Sequence, residues 1–273
     1  MRINSRWLAA LLITAALLMS GCGFVRKLKS RDNLNKGVKA FTDQKYDAAA
    51  QFFQKSIDLD PDFPEDVPRM YLASAYMLQF VPGSMDPKSD QMGEKAIETF
   101  AEVVNRSEAI GKPNINAMLA IASLSYQMQK AEQTKLWCNR VLKIDAQTEE
   151  AKEQKAEAHY RIAVLDFDIV NEETGTLGEN IEFLEQEDKD KLQGYIEEGL
   201  DNLEKAIELR SDYFDAMMYQ NLLWREKAKM EENEEEKLKL INQADIAYNK
   251  SIQLKLKAEA EKASQHRELD LGR

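Results

Sequence analysis

Residues Leu34 to Pro61 read LNKGVKAFTDQKYDAAAQFFQKSIDLDP, and the small, aromatic and helix-stopping residues of this stretch decide how the chain folds. Gly37 and Ala49 are small where two antiparallel helices would touch. Phe53 is large where a neighbouring unit would leave a gap, and Pro61 lacks the amide that a continuing helix needs. Tyr46 marks the turn between the two halves. The stretch is one complete helix-turn-helix unit.

Gly37, Ala49, Phe53 and Pro61 fall at the intervals of the pattern W-x2-L-G-x2-Y…A-x3-F…P, and on that spacing the chain resembles the tetratricopeptide-repeat family. The resemblance implies an all-α fold, a right-handed solenoid of about five helical hairpins. Further units follow. Leu72-Ala73-Ser74-Ala75-Tyr76 repeats the first-helix signature and Ala96, Phe100 and Val103 the second, with VPGSMDPKSDQ inserted between them. A third unit runs from about Ile115, with Ala122 and Ser125 in its first helix and Cys138, Val141 and Ile144 in its second. The fourth opens with AEAHYRIAVLDFD near Ala156, detours through NEETGTLGENIEF, and resumes at Gly199, Leu203 and Ala206. The fifth begins near Phe214, passes the acidic run Glu231 to Glu236 and returns at Ala244, Tyr248 and Leu254. The solenoid is expected over residues 32–256, with 257–273 a polar helix end or tail. Units two, four and five carry extra residues between their helices, which in a stacked solenoid would line one edge and offer a second surface.

Composition agrees with a helix-rich body: 44% of the 273 residues are hydrophobic, 31% are charged, and there are eleven Gly and six Pro. Beyond the first 21 residues, 35 basic side chains face 48 acidic ones. That sign argues against nucleic acid, whose phosphates demand a basic footprint. The two cysteines, Cys22 and Cys138, stand in settings so different that no structural disulfide is expected.

Residues 1–21 open with Arg2 and Arg6, continue with an apolar run from Trp7 to Met19 and end in Ser20 and Gly21, the layout of a secretory signal. Thirteen residues rise about 20 Å as a helix, short of a hydrocarbon core of roughly 30 Å. Leu18-Met-Ser-Gly-Cys22 resembles the bacterial lipobox, with Met19 in place of the usual Leu. By that resemblance Cys22 carries acyl chains and becomes the first mature residue, and residues 22–31 form a lipid anchor and basic linker. Gly23, rather than Asp, implies outer-membrane sorting, facing the periplasm, in a bacterium with two membranes. Arg26, Lys27, Lys29 and Arg31 make a basic collar.

Catalysis needs converging ligands or a nucleophile beside a base, and the chain offers only His159, His266 and one internal thiol, Cys138. No H-E-x-x-H, G-x-S-x-G or phosphate-cradling glycine loop is present. His159 occupies a core slot of its repeat and Cys138 the aromatic position of a second helix, where a small hydrophobe fits. The acids are interleaved with Lys at helical spacing, the pattern of solvated faces. No enzyme activity, cofactor or metal is expected.

In the family the chain resembles, first helices line the concave face. Carried over residue by residue, that face would present Leu34, Val38 and Phe41 from the first unit, Met70 and Met77 from the second, and Leu119 and Tyr126 from the third. Tyr160, Val164 and Phe167 would come from the fourth and Met218 and Leu222 from the fifth. Chaperone-binding members of the family place Lys and Asn where Leu34 and Val38 stand, so a carboxylate clamp is not implied. An apolar, Met-bearing face suits an amphipathic or extended segment of a protein partner, and the same side chains could instead bury against the chain's own insertions. Two kinds of role fit: an anchored interaction scaffold, such as an outer-membrane or pilus-secretin assembly factor, and a ligand- or glycan-binding lipoprotein associated with a transporter.

Overall fold

The computed structural model describes the backbone of residues 5–145 and 147–271, and the side chains of residues 23–145 and 147–264. Cys22, with the lipobox before it, and His266 lie outside the described side chains. Among the described residues there are ten α-helices and no strand. The chain divides into two compact units, Met1–Met128 and Gln129–Arg273, and the division falls in the turn of the third repeat. Among the described residues no helix is long and apolar enough to cross a membrane.

The first unit holds α1 (Ser5–Thr42), α2 (Tyr46–Leu59), α3 (Val67–Met77), α4 (Pro87–Ala109) and α5 (Ile115–Gln127), each packed on its neighbour in sequence. Where α1 meets α2, a methyl group added to Gly37 would sit 2.5 Å from the Phe53 ring, and both Ala49 and Phe53 are wholly buried. Gly37 is therefore a contact point between the backbone of α1 and the Phe53 ring of α2. Further along the same hairpin, Ser30 Oγ donates to the Ser56 carbonyl at 2.8 Å and Ser56 Oγ to the Ser30 carbonyl at 2.9 Å. This reciprocal pair is buried and satisfied, and it fixes the roll of α1 about its axis.

After Pro61 the chain turns through Glu65 and Asp66, both in the left-handed region. Two guanidinium groups hold that corner. Arg69 donates to the Pro61 carbonyl at 2.8 Å and to Asp66 at 2.6 Å, while Arg106, from α4, donates to the same carbonyl and to both Asp66 oxygens at 3.0 Å. Charge-assisted bonds to one carboxylate thus tie the connection between α2 and α3 to α4.

The second unit holds α6 (Ala131–Leu142), α7 (Glu149–Thr174), α8 (Gln186–Leu209), α9 (Phe214–Lys229) and α10 (Glu234–Leu271). Its core repeats the logic of the first. A methyl on Gly199 would lie 2.6 Å from Leu223, and Leu203, Ala206, Ala216 and Leu223 are wholly buried.

The turns differ in kind. In repeats one and three a three-residue turn suffices, with Gln44 and Gln129 at φ of 59° and 58°. Repeat two loops out through Leu78–Asp86, and Ser89 folds that loop back by exchanging hydrogen bonds with the amide and carbonyl of Val81. In repeat four the loop Gly175–Glu185 is pinned by Lys229, which donates to the carbonyls of Gly175 and Thr176. Repeat five corrects the expectation of a third insertion. Only Met230–Asn233 separate α9 from α10, and Glu234–Glu236 form the first turn of α10, where acidic side chains favour the positive end of the helix dipole. The extra residues there lengthen helices and do not add to an edge.

The contact points generate a differential prediction. In a helix interior Gly→Ala normally stabilises by about 0.8–1 kcal/mol. Gly194→Ala on α8, with nothing within 4 Å, should show that gain. Gly37→Ala and Gly199→Ala should instead lose stability, because overpacking costs about 1–3 kcal/mol. Thermal denaturation of the three variants, compared with wild type, checks the sign at each position.

Candidate functional site

The side chains expected to form an apolar stripe do come from first helices, but they are not free-standing. Leu34, Val38, Phe41, Met70, Met77, Leu119 and Tyr126 in the first unit, and Tyr160, Phe167, Met218 and Leu222 in the second, are half-buried, and Val164 is buried. What the stripe can offer a partner is edges and tips.

Aromatic packing explains the burial. Leu34, Val38 and Phe41 rest on the core formed by Ala40, Ala49, Phe53 and Leu72. The Phe41 ring meets Tyr46 edge-on with centroids 5.5 Å apart and Tyr71 at 5.8 Å, and Tyr71 stacks on Phe53 at 5.2 Å. In the second unit Tyr219 stands between Tyr160 and Phe167, edge-on to both at 5.4 and 5.6 Å, and Tyr160 also packs on Tyr213. Edge-to-face pairs at such distances each contribute about 0.5–1.5 kcal/mol beyond their area. Burial pushes the Tyr160, Tyr213 and Tyr219 phenols up, so they stay neutral. Tyr213 donates its proton to Glu157 at 2.5 Å.

Tyr71 and Tyr219 were not among the expected stripe residues. A signal for them exists in the sequence: each directly follows a stripe methionine, as Met70-Tyr71 and Met218-Tyr219, near the start of a first helix. In both units the tyrosine packs onto aromatic rings of the preceding repeat, and tyrosine and methionine alike are half-buried. The Met70 sulfur lies 3.9 Å from the amide of Asn114, the residue that caps α5.

The remaining candidates for chemistry are structural. His159 Nδ1 sits 2.7 Å from the Asn202 side-chain oxygen, and burial lowers its pKa, with that hydrogen bond opposing. Cys138 is a buried free thiol whose pKa burial pushes up to about 12, against the pull of Arg161. Among the described residues no group of three or more His, Cys, Asp or Glu could hold a metal ion. One charged cluster was invisible in the sequence. Asp166, wholly buried on α7, accepts from Lys135 of α6 at 3.2 Å, and Lys135 also donates to Glu198 of α8 at 2.8 Å and lies 5.5 Å from the Tyr195 ring centre. The second Asp166 oxygen has no hydrogen-bond partner among the described residues.

No family model matches the sequence, and no curated protein matches it. Among solved structures, two crystal structures of MamA share the fold. One is 14% identical over 82% of this chain and 94% of its own, with a TM-score of 0.52. The other is 15% identical over 82% and 96%, with a TM-score of 0.51. YrrB, described as a TPR protein with an unusual peptide-binding site, aligns at a TM-score of 0.46 and 14% identity over 84% of this chain and 90% of its own. At these identities the likeness is one of fold. The chain has the all-α fold of the tetratricopeptide-type solenoids.

Asp166 makes stability depend on pH. Burial, partly offset by Lys135, pushes its carboxyl up to about 7. The unfolded chain releases that proton near pH 3.9, a typical aspartate value. Between those values the folded chain holds a proton that the unfolded chain does not, so this group's contribution to stability falls as pH rises. Wild type should lose more of its melting temperature between pH 5 and pH 8 than Asp166→Asn does, by roughly 2–4 °C for each kcal/mol involved. Parallel slopes for the two proteins in calorimetry at both pH values would exclude the effect.

Proposed function

We propose that this chain is a non-catalytic interaction scaffold, lipid-anchored in the bacterial envelope through Cys22, that holds an apolar segment of a protein partner against its first helices. The observation that carries this reading is the row of half-buried apolar side chains on first helices, in which a Met-Tyr pair recurs at Met70-Tyr71 and Met218-Tyr219. Tyr71 and Tyr219 pack on rings of the preceding repeat, and Met70 and Met218 beside them are likewise half-buried, so part of each thioether side chain stays accessible. Thioether side chains are flexible and polarizable, and they suit a surface that must adapt to another helix or strand. The anchor rests on the charged start, the apolar run and the lipobox of the sequence, and Gly23 after Cys22 supports an outer-membrane location facing the periplasm.

Phe41 and Phe167 do not make clean tests of binding, because their rings are part of the packing. Met218 and Leu222, one turn apart on α9, do. A photo-reactive phenylalanine analogue placed at Met218 or Leu222 should give a discrete crosslinked species in intact cells, and the same analogue at exposed Lys205 on α8 should not. Met218→Glu combined with Leu222→Glu should abolish the species formed from a neighbouring probe position while leaving helix content unchanged, since a desolvated, unpaired carboxylate is costly at a binding surface. Equal crosslinking at Met218 and Lys205 would refute the stripe as the site.

The anchor has its own test. Wild type should incorporate radiolabelled palmitate and fractionate with membranes, and Cys22→Ala should do neither. Incorporation that is equal in both proteins would remove the anchor from the reading.

A further inference from the structure

We propose that residues Gly23–Arg31, at the start of the described part of α1, form an interfacial membrane contact that lays this helix along an anionic bilayer surface. This deepens the lipid-anchor reading and rests on it, because acyl chains on Cys22 would hold this segment at the bilayer.

Three observations converge. Phe24, Val25 and Leu28 are exposed, at 64, 47 and 50% of their full surface, and they form one patch because Phe24 and Leu28 are a single turn apart with Val25 beside them. The reciprocal bonds between Ser30 and Ser56 fix the roll of the helix. Ser30 lies six residues after Phe24, close to the opposite side at about 3.6 residues per turn, so the patch points away from α2 and the body of the unit.

The second observation is where the charges stand around the patch. Lys27 and Arg31 flank it on one side and Lys29 and Arg26 on the other, at helical spacing, and among the described residues none of the four makes an ion pair. An apolar strip bordered on both sides by long basic side chains is the layout of a helix lying in the headgroup region, with its apolar face among acyl chains and its cations reaching up to phosphates.

The third is charge contrast along the chain. Residues 22–31 hold four basic side chains and no acid, while the residues after them hold 31 basic against 48 acidic ones. The body as a whole, with its excess of acids, is repelled by an anionic surface, and the collar is drawn to it. Asp32 ends the patch. It pairs with Lys36 at 2.7 Å, and Asn35, two turns beyond Leu28 on the same side, is exposed and polar. The contact is therefore about 13 Å long, nine residues at the helical rise.

A depth measurement on the intact lipoprotein tests this. Palmitate incorporation is established first for every variant, so a failed anchor is recognised before any vesicle is made. A nitroxide is then attached at Phe24→Cys, Leu28→Cys or Asn35→Cys, Cys138 being buried and unreactive, and the protein is reconstituted into vesicles of phosphatidylethanolamine and phosphatidylglycerol. Relaxation by dissolved oxygen relative to an aqueous nickel complex should be severalfold greater at positions 24 and 28 than at 35. The two values should be similar to each other, as a helix lying flat requires. Lys27→Glu with Arg31→Glu, or replacement of the anionic lipid by phosphatidylcholine, should reduce that ratio toward the value at 35. If a palmitoylated protein shows positions 24 and 28 as open to nickel as 35, the collar is a solvated linker and the inference fails. Positions shielded from both reagents, with or without vesicles, would mean that protein covers the patch, and that outcome also overturns it.

Discussion

In each unit the packing of one helix pair depends on a glycine that faces a large side chain. Gly37 leaves space for the Phe53 ring and Gly199 for Leu223, and in both places a single added carbon would stand well inside van der Waals distance. Ridges of one helix can enter the grooves of the next only where such side chains are missing, so these positions set how near the paired helices come. The aromatic layer behind them depends on that spacing. Phe41, Tyr71 and Phe53 touch because α1, α2 and α3 are drawn together, and Tyr160, Tyr213 and Tyr219 do the same around α7 and α9.

That aromatic layer constrains where a partner could be held. Side chains with the right register to face outward are also the nearest filler for the gap between successive hairpins, and a large ring gains more from packing inside than from exposure. The rings accordingly pack against one another, and they and the methionines beside them are left half-buried. An apolar surface of this sort is shaped by what the fold leaves over, which favours adaptable side chains over rigid ones at the rim.

Polar groups serve two different purposes in the interior. The corner after Pro61 uses two arginines on one carboxylate and one carbonyl to hold a backbone that passes through two left-handed residues, so strain and restraint occur together. The cluster of Asp166, Lys135 and Glu198 is a costlier arrangement, since one carboxylate oxygen is buried without a partner. Breaking such a pair leaves a buried charge, whereas keeping it ties α6 to α7 and α8 through one ammonium group.

The repeat, the helix count and the order of the hairpins were determined by the sequence alone, because Gly37, Ala49, Phe53 and Pro61 act locally and their spacing recurs. The tight turns of repeats one and three and the loops of repeats two and four were likewise legible from length and turn residues. What only the tertiary structure decided is how far each side chain is used up by its neighbours. Register placed Phe41, Tyr160 and Phe167 on an outward face, yet ring contacts with residues of other helices draw them in, and no local pattern records such contacts. The lengthening at repeat five could be read as a loop or as longer helices, and the choice fell to helix because the acids at 234–236 suit the N-terminus of α10 and the apolar side of α9 gives that helix something to pack on. Asp166 was one acid among many in a run of helical spacing. Its burial follows from three helices meeting there, which is a property of their packing and not of the residues around it in the chain.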